Sequence, residues 1–373
     1  MDASGAAAAG RLRPAPVPEP AQTVEAPAGR REPVPDLELD QPWDRLDPVT
    51  DLLVQQAGEP VAPVAVLDDV DGALTRRLIA RGHDPAVWCD DLRAEHRVPP
   101  AHRRSRLDEA LAGARIVLWR LPKAVGAVEE YAELIANHAH PDVRVIAAER
   151  DKHLSRSMNT TLARSFGSVN ASLGHRKARA LLAAQPTPRK PSWPRRSFVE
   201  SLSLEVLAHG ATFSTNRLDL GTAALAACLT DLPDGDRAVD LGCGSGILAA
   251  LLARQGRRVA AIDVTWSACD AARLTAEANG VEVEVVRRDG LDGWPEPVDL
   301  VVINPSFHVR SAKDTAPTRA LFTQAGEALV EGGELWCVFN AHLPYLSWLR
   351  ESIGPTRIVS RDRSYLVTRS VRR

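Results

Sequence analysis

The sequence predicts two doubly wound, Rossmann-like α/β domains in tandem. Three observations carry that expectation. Short apolar runs alternate with amphipathic stretches twice over, the pattern of buried parallel strands and their crossover helices. A basic, proline-containing stretch from Gln185 to Arg196, unable to continue a helix or a central strand, separates the two series. Only the second series carries a glycine-rich turn, Val239-Asp240-Leu241-Gly242-Cys243-Gly244-Ser245-Gly246. The length of 373 residues suits roughly two domains and a tail, since domains commonly run about 100 to 200 residues.

Residues 1–42 are rich in Ala and Pro, without an apolar run long enough for a signal segment or a bilayer span, and read as a disordered tail. Trp43 to Gln56 reads as an amphipathic lead-in to the first domain, 43–184. Its strands are expected at Pro63–Leu67, Ala86–Cys89, Arg115–Trp119 and Val143–Ala148, with helices around Gly72–Arg81 and Ala124–His138. Residues 185–196 form the linker. The second domain, 197–373, should have strands at Arg237–Leu241, Arg258–Val264, Val281–Arg287, Val298–Ile303 and Glu334–Phe339, and a terminal antiparallel hairpin from Arg357–Ser360 and Tyr365–Arg369. A formal net charge of −2 leaves any nucleic-acid signal to the placement of charges. Five cysteines without framework spacing fit a reduced, cytoplasmic chain with no metal and no membrane span, taken here as a monomer.

The halves read as copies of one fold. Val117-Leu118-Trp119-Arg120-Leu121-Pro122-Lys123 occupies the place that Val302-Ile303-Asn304-Pro305-Ser306-Phe307 occupies in the second half. The first half's turn, Asp68-Asp69-Val70-Asp71-Gly72, has one glycine and three acids and gives no close approach to an anionic ligand. Two unrelated α/β domains of similar rhythm are the alternative.

In the second half, Gly242, Gly244 and Gly246 let the backbone turn tightly beside a ligand. A dinucleotide fingerprint would need its third glycine where Ile247 stands, which weakens a hydride-transfer reading. Asp263, at the next strand end, is placed to accept both hydroxyls of a ribose, with Val264 flanking an adenine. Asp289 would accept from the adenine amine, and Asp240 lies under the loop toward the amino-acid end of the ligand. About sixty residues beyond the glycine turn comes Asn304-Pro305-Ser306-Phe307. An exocyclic base amine is a poor nucleophile because its lone pair is delocalised into the ring. The Asn304 side-chain oxygen and the Pro305 carbonyl can each accept one N–H and direct the lone pair at a methyl donor, while Phe307 stacks on the base. His308 reads better as an RNA contact than as a base.

Gly242-Cys243-Gly244-Ser245-Gly246, Asp263, Asn304-Pro305-Ser306-Phe307-His308 and the upstream Phe213-Ser214-Thr215-Asn216-Arg217-Leu218-Asp219-Leu220-Gly221-Thr222 resemble the small-domain ribosomal RNA guanine-N2 methyltransferases. The resemblance runs from about Pro63 to the C-terminus. It implies S-adenosylmethionine as cofactor, a degenerate first domain, ribosomal RNA or a ribosomal subunit as partner, and methylation of one guanine. Phe213 to Gly221 then form a loop over the cofactor. Leu121-Pro122-Lys123 and the segment from Lys152-His153 to Ser172-Leu173-Gly174 resemble the large-subunit branch more than the small. The family pattern has proline where Ser306 stands, which makes this turn less rigid and puts full activity in question.

From Arg150 to Arg196 stand eleven basic residues against one acid, Asp151. Lys152, His153, Arg156, Arg176 and Lys177 are the candidate RNA contacts, with a solvated linker as the alternative. Two other functions stay open: amine methylation of adenine N6 or a protein glutamine, and a decayed RNA-binding or ribosome-assembly protein.

Overall fold

The computed structural model describes residues 47–59, 63–215, 217–232, 235–305 and 316–373. The tail and Trp43 lie outside the described residues.

The first half runs α1 (Pro48–Ala57), β1 (Val64–Leu67), α2 (Ala73–Ala80), β2 (Ala86–Trp88), α3 (Leu92–Glu95), α4 (Leu107–Leu111), β3 (Ile116–Arg120), α5 (Val125–His138), β4 (Arg144–Arg150), α6 (Arg156–Leu162), β5 (Phe166–Ala171) and β6 (Ala178–Pro186). Its strands form a sheet of order β2-β1-β3-β4-β6-β5, parallel through β4 and antiparallel beyond. A ribbon of β7 (Arg195–Val199) and β8 (Leu204–Ala208) follows.

The second half runs α7 (Leu220–Ala226), β9 (Arg237–Leu241), α8 (Ile247–Arg254), β10 (Arg258–Asp263), α9 (Trp266–Ala278), β11 (Glu284–Arg287), β12 (Val298–Ile303), α10 (Ala316–Ala328), β13 (Leu329–Asn340), α11 (Tyr345–Ser352), β14 (Thr356–Arg361) and β15 (Tyr365–Val371). Its sheet has the order β11-β10-β9-β12-β13-β15-β14. The two orders coincide once β11 is set aside, and both end in the same antiparallel hairpin. Apolar residues bury both faces of each sheet, so the strands read as near-continuous hydrophobic runs such as Val298–Ile303.

Ladder registers fix which positions correspond. Leu67 pairs with Trp88 and Trp119, and Leu241 pairs with Ile262 and Ile303. Arg120 is therefore the counterpart of Asn304, Cys89 of Asp263, and Gly72 of Gly246. The last two residues cap α2 and α8 with φ of 69° and 75°, a conformation glycine adopts without strain. Helices α1 and α7 also correspond, since each packs on the fourth strand and inner hairpin strand of its sheet, β4 and β6 or β13 and β15.

Strand boundaries follow the sequence reading closely, with β11 beginning at Glu284 and β13 extended back to Leu329. The main departure is the basic stretch. It contains β5 and β6, and the latter reaches into the 185–196 segment. That segment is tied down: the Arg189 guanidinium and the Ser192 amide both reach the buried Glu133, and Asn137 exchanges two bonds with the Arg189 backbone.

Candidate active site

The glycine turn opens onto a cavity of about 420 Å³. A Cβ added at Gly242 or Gly244 would meet nothing within 4 Å, whereas one at Gly246 would lie 2.7 Å from the Ala272 backbone of α9. Two glycines thus keep space for a ligand, and the third lets α8 and α9 approach. Asp240, Gly242, Gly244, Asp263, Val264, Asp289, Asn304, Pro305 and the half-exposed Phe213 all line this cavity.

The carboxylate of Asp263 is oriented before any ligand arrives. It accepts from the Gly244 amide at 3.2 Å and from the Thr265 amide and hydroxyl at 2.9 Å each. Asp240 is buried and receives the Ala249 amide of α8 at 2.9 Å. Burial pushes its carboxyl up to about 7, against the opposing effect of that hydrogen bond. Cys243 is also buried, and its thiol is held far above the usual range, which removes it as a nucleophile.

At the other end stands Asn304, at the tip of β12. Its Nδ2 donates to the Asp219 carboxylate at 3.0 Å and to the Thr222 hydroxyl at 2.9 Å. A carboxylate can only accept, so this pairing assigns Nδ2 to Asp219 and leaves Oδ1 to receive a substrate N–H. Asp219 is itself the N-cap of α7, bonded to the Thr222 amide. Gly221 completes the arrangement: a Cβ there would lie 3.3 Å from both Asn304 Oδ1 and the Tyr365 ring. Ser306, Phe307 and His308 lie outside the described residues.

The sequence reading places Asp219 only in the loop over the cofactor and gives Thr222 and Tyr365 no role. The first two carried a detectable signal, the Asp-x-x-Thr of a helix N-cap ahead of an apolar run. Tyr365 carried none, because it arrives from the returning hairpin.

The candidate RNA contacts cluster at the end of β4. Lys152 and His153 stand on the turn that follows it, Arg156 opens α6, and Arg176 and Lys177 form the β5–β6 turn, held to that region by a bond from the Asp151 amide to the Lys177 carbonyl at 3.0 Å. Lys152, Arg156 and Lys177 are exposed, while Arg176 pairs with Asp51 at 3.3 Å. Much of the remaining positive charge is already matched by acids outside the stretch. Arg164 and Arg195 share Glu129, Arg150 reaches Asp47, and Arg196 reaches Glu205.

The halves meet through equivalent turns. Leu92 donates its amide to the Val264 carbonyl at 3.0 Å, and Trp266 donates to the Asp90 carbonyl at 2.9 Å, around a bridge between Asp91 and Thr265. These pairs exchange under the register correspondence, so the contact has the self-complementary form of a two-fold dimer. His209 adds a buried link, with one ring nitrogen 2.5 Å from Glu130 of α5 and the other 2.8 Å from Asp270 of α9.

Residues 203–369 match the family described as "Methyltransferase small domain", and residues 35–188 match "RLMG N-terminal domain". The protein named ribosomal RNA large subunit methyltransferase G from Streptomyces avermitilis is 33% identical over 341 residues, covering 85% of this chain and 89% of that one. The chain belongs to the ribosomal RNA large subunit methyltransferase G family. It is a methyltransferase with both domains of that family. A second relative of the same name, from Streptomyces griseus, is 32% identical over 336 residues and covers 83% of this chain and 87% of its own length. The tandem fold is also that of a 16S rRNA N2 methyltransferase from T. thermophilus solved with AdoMet and guanosine, with a TM-score of 0.72 at 22% identity, covering 88% of this chain and 92% of that structure. No helix among the described residues is long and apolar enough to cross a membrane.

Proposed function

We propose that this methyltransferase transfers the methyl group of S-adenosylmethionine to the exocyclic N2 amine of a guanine in large-subunit ribosomal RNA. One observation carries the reading. Asn304 is locked through Nδ2 by Asp219 and Thr222, and its Oδ1 stands at the end of a cavity whose far side is the glycine turn and Asp263. The residues present fit the cofactor: open space at Gly242 and Gly244 for its body, and carboxylates at Asp263 and Asp289 for ribose and adenine. When bound, the cofactor supplies an electrophilic methyl on a sulfonium.

The chain's own contribution is orientation. Oδ1 of Asn304 and the carbonyl of Pro305 each accept one N–H of the amine, which favours a pyramidal nitrogen with its lone pair directed at the methyl. Each is most effective as positive charge develops on that nitrogen. No strong base is needed, because the methylated nitrogen sheds its proton to solvent. Phe307 stacks on the base in this reading. Guanine is the substrate of choice because the T. thermophilus enzyme was solved with guanosine. The large subunit follows from the names of the relatives.

The first half, 43–184, acts as the RNA-recognition module, with Lys152, His153, Arg156, Arg176 and Lys177 on phosphates and the 185–196 segment joining it to the catalytic domain, 197–373. His308 completes the RNA contact beside the base. The enzyme works as a cytoplasmic monomer. The test is methylation of undermodified rRNA with labelled cofactor, followed by nucleoside mass spectrometry and mapping. N2-methylguanosine at one position of large-subunit rRNA is expected. Label in N6-methyladenosine, or in protein glutamine, would overturn the substrate assignment.

A further inference from the structure

Among the described residues the cavity is built by the catalytic half with one exception: Arg93, on α3 of the first half, lines it together with Gly242, Asp263, Val264 and Asp289. Its position is fixed from two sides. Asp91 accepts from Nε at 3.0 Å and from Nη2 at 2.6 Å, and also caps the Arg93 amide at 2.8 Å. Asp91 forms the interdomain bridge to Thr265, and the amide of Leu92 is bonded to the carbonyl of Val264. The guanidinium plane is thus tied to the residue expected to flank adenine, and Nη1 makes no bond to a protein group among the described residues.

We propose that Arg93 is a cofactor-binding residue supplied across the domain interface, its guanidinium forming a wall against the adenine ring. This rests on the cofactor reading of the cavity given above. A guanidinium is planar, weakly hydrated and donor-rich, so it packs on a purine face where an ammonium does not. It belongs at the adenosine end, because near the sulfonium it would repel the ligand's own charge. The acids Asp263 and Asp289, assigned to ribose and adenine, are also the ones whose fields favour the Arg93 charge after Asp91 itself. Because Asp91 holds the side chain beforehand, little rotamer freedom is lost when the ligand binds.

The correspondence between the halves sharpens the point. Arg93 lies five residues beyond Trp88, and Ser267 lies five beyond Ile262. In the reverse direction across the same two-fold contact, Ser267 offers a hydroxyl and an amide to Asp90 at 3.0 and 2.8 Å and presents no cation. Only the direction leading into the open pocket carries the arginine.

Calorimetry on the full chain with S-adenosylhomocysteine and with adenosine decides it. R93A should weaken both ligands by the same factor, about tenfold, with the ligand-free Tm unchanged. R93K, which keeps charge and stem, should be nearly as weak. Affinity within twofold of wild type in either folded variant would overturn the proposal, as would a loss confined to S-adenosylhomocysteine, since that would place Arg93 at the amino-acid end. Absence of any binding by the wild-type chain would instead overturn the cofactor reading on which the proposal stands.

Discussion

Asp47 and Asp219 cap corresponding helices and each stands three residues before a threonine, yet the two networks end in opposite chemistry. Asp219 and Thr222 hold the amide of Asn304. Asp47 holds Arg120 at 2.9 Å, and Arg120 also approaches Glu149 at 3.6 Å. Gly221, which leaves room beside Asn304 Oδ1, corresponds to Val49, a fully buried core residue. Asp263, proposed to hold the ribose, corresponds to Cys89, buried and with its thiol pushed up by burial. In the first turn, Asp69 is folded inward onto the amide and hydroxyl of Thr75 at 2.8 and 2.6 Å. The first half keeps the scaffold and the cap but carries packed or ion-paired groups at these corresponding positions. Few positions separate a site from a core, because backbone geometry is shared and only the groups at the strand ends differ.

Exchanging residues between the halves should move the chemistry of one onto the other. Asn304→Arg imports the residue of the first half and should pair with Asp219 as Arg120 pairs with Asp47. Turnover should fall by roughly a hundredfold or more while affinity for S-adenosylhomocysteine, which carries no sulfonium charge, stays within about twofold. Single-turnover methylation beside calorimetry checks it, and near-wild-type turnover would rule out the Asn304 mechanism.

Asp263→Cys imports Cys89. Loss of charge-assisted bonds should weaken S-adenosylhomocysteine by about 2 kcal/mol, roughly thirtyfold. Unchanged affinity would remove Asp263 from the site.

The contact between the halves is tested by pH. Burial alone would lower the His209 imidazole, but its bonds to Asp270 and Glu130 outweigh this and push it up to about 9. A raised histidine stabilises fully below its unfolded value of about 6.5 and loses that contribution as pH climbs through the folded value. The stability difference between wild type and His209→Asn should therefore shrink by up to about 3 kcal/mol between about pH 6.5 and 10. Denaturant titration across that range measures it, and a pH-independent difference would mean that the link is not ionic.

Most of the fold was readable from the sequence because buried parallel strands leave unbroken apolar runs, as at Val298–Ile303, and because glycines mark the ligand turn. The hairpin of the first half was not readable. Ala178–Pro186 is Ala- and Leu-rich and looks as helical as it does extended, and Phe166–Ala171 is short and polar. The charge reading of that region counted only local acids, whereas Glu129, Glu133, Asp47 and Asp51 come from elsewhere in the chain. In the site, Gly242, Asp263 and Asn304 each stand at or just beyond a strand end and announce themselves. The tie from Asn304 to Asp219 spans 85 residues, and Arg93 enters from the other half altogether. Neither leaves a local pattern.

One half binds cofactor, and the other is its filled copy. Calorimetry of the full chain with S-adenosylhomocysteine measures this directly. One site per chain is predicted, abolished or severely weakened by Asp263→Cys and unaffected by Cys89→Ser. Two sites per chain, or a single site that responds to Cys89→Ser and ignores Asp263→Cys, would contradict it.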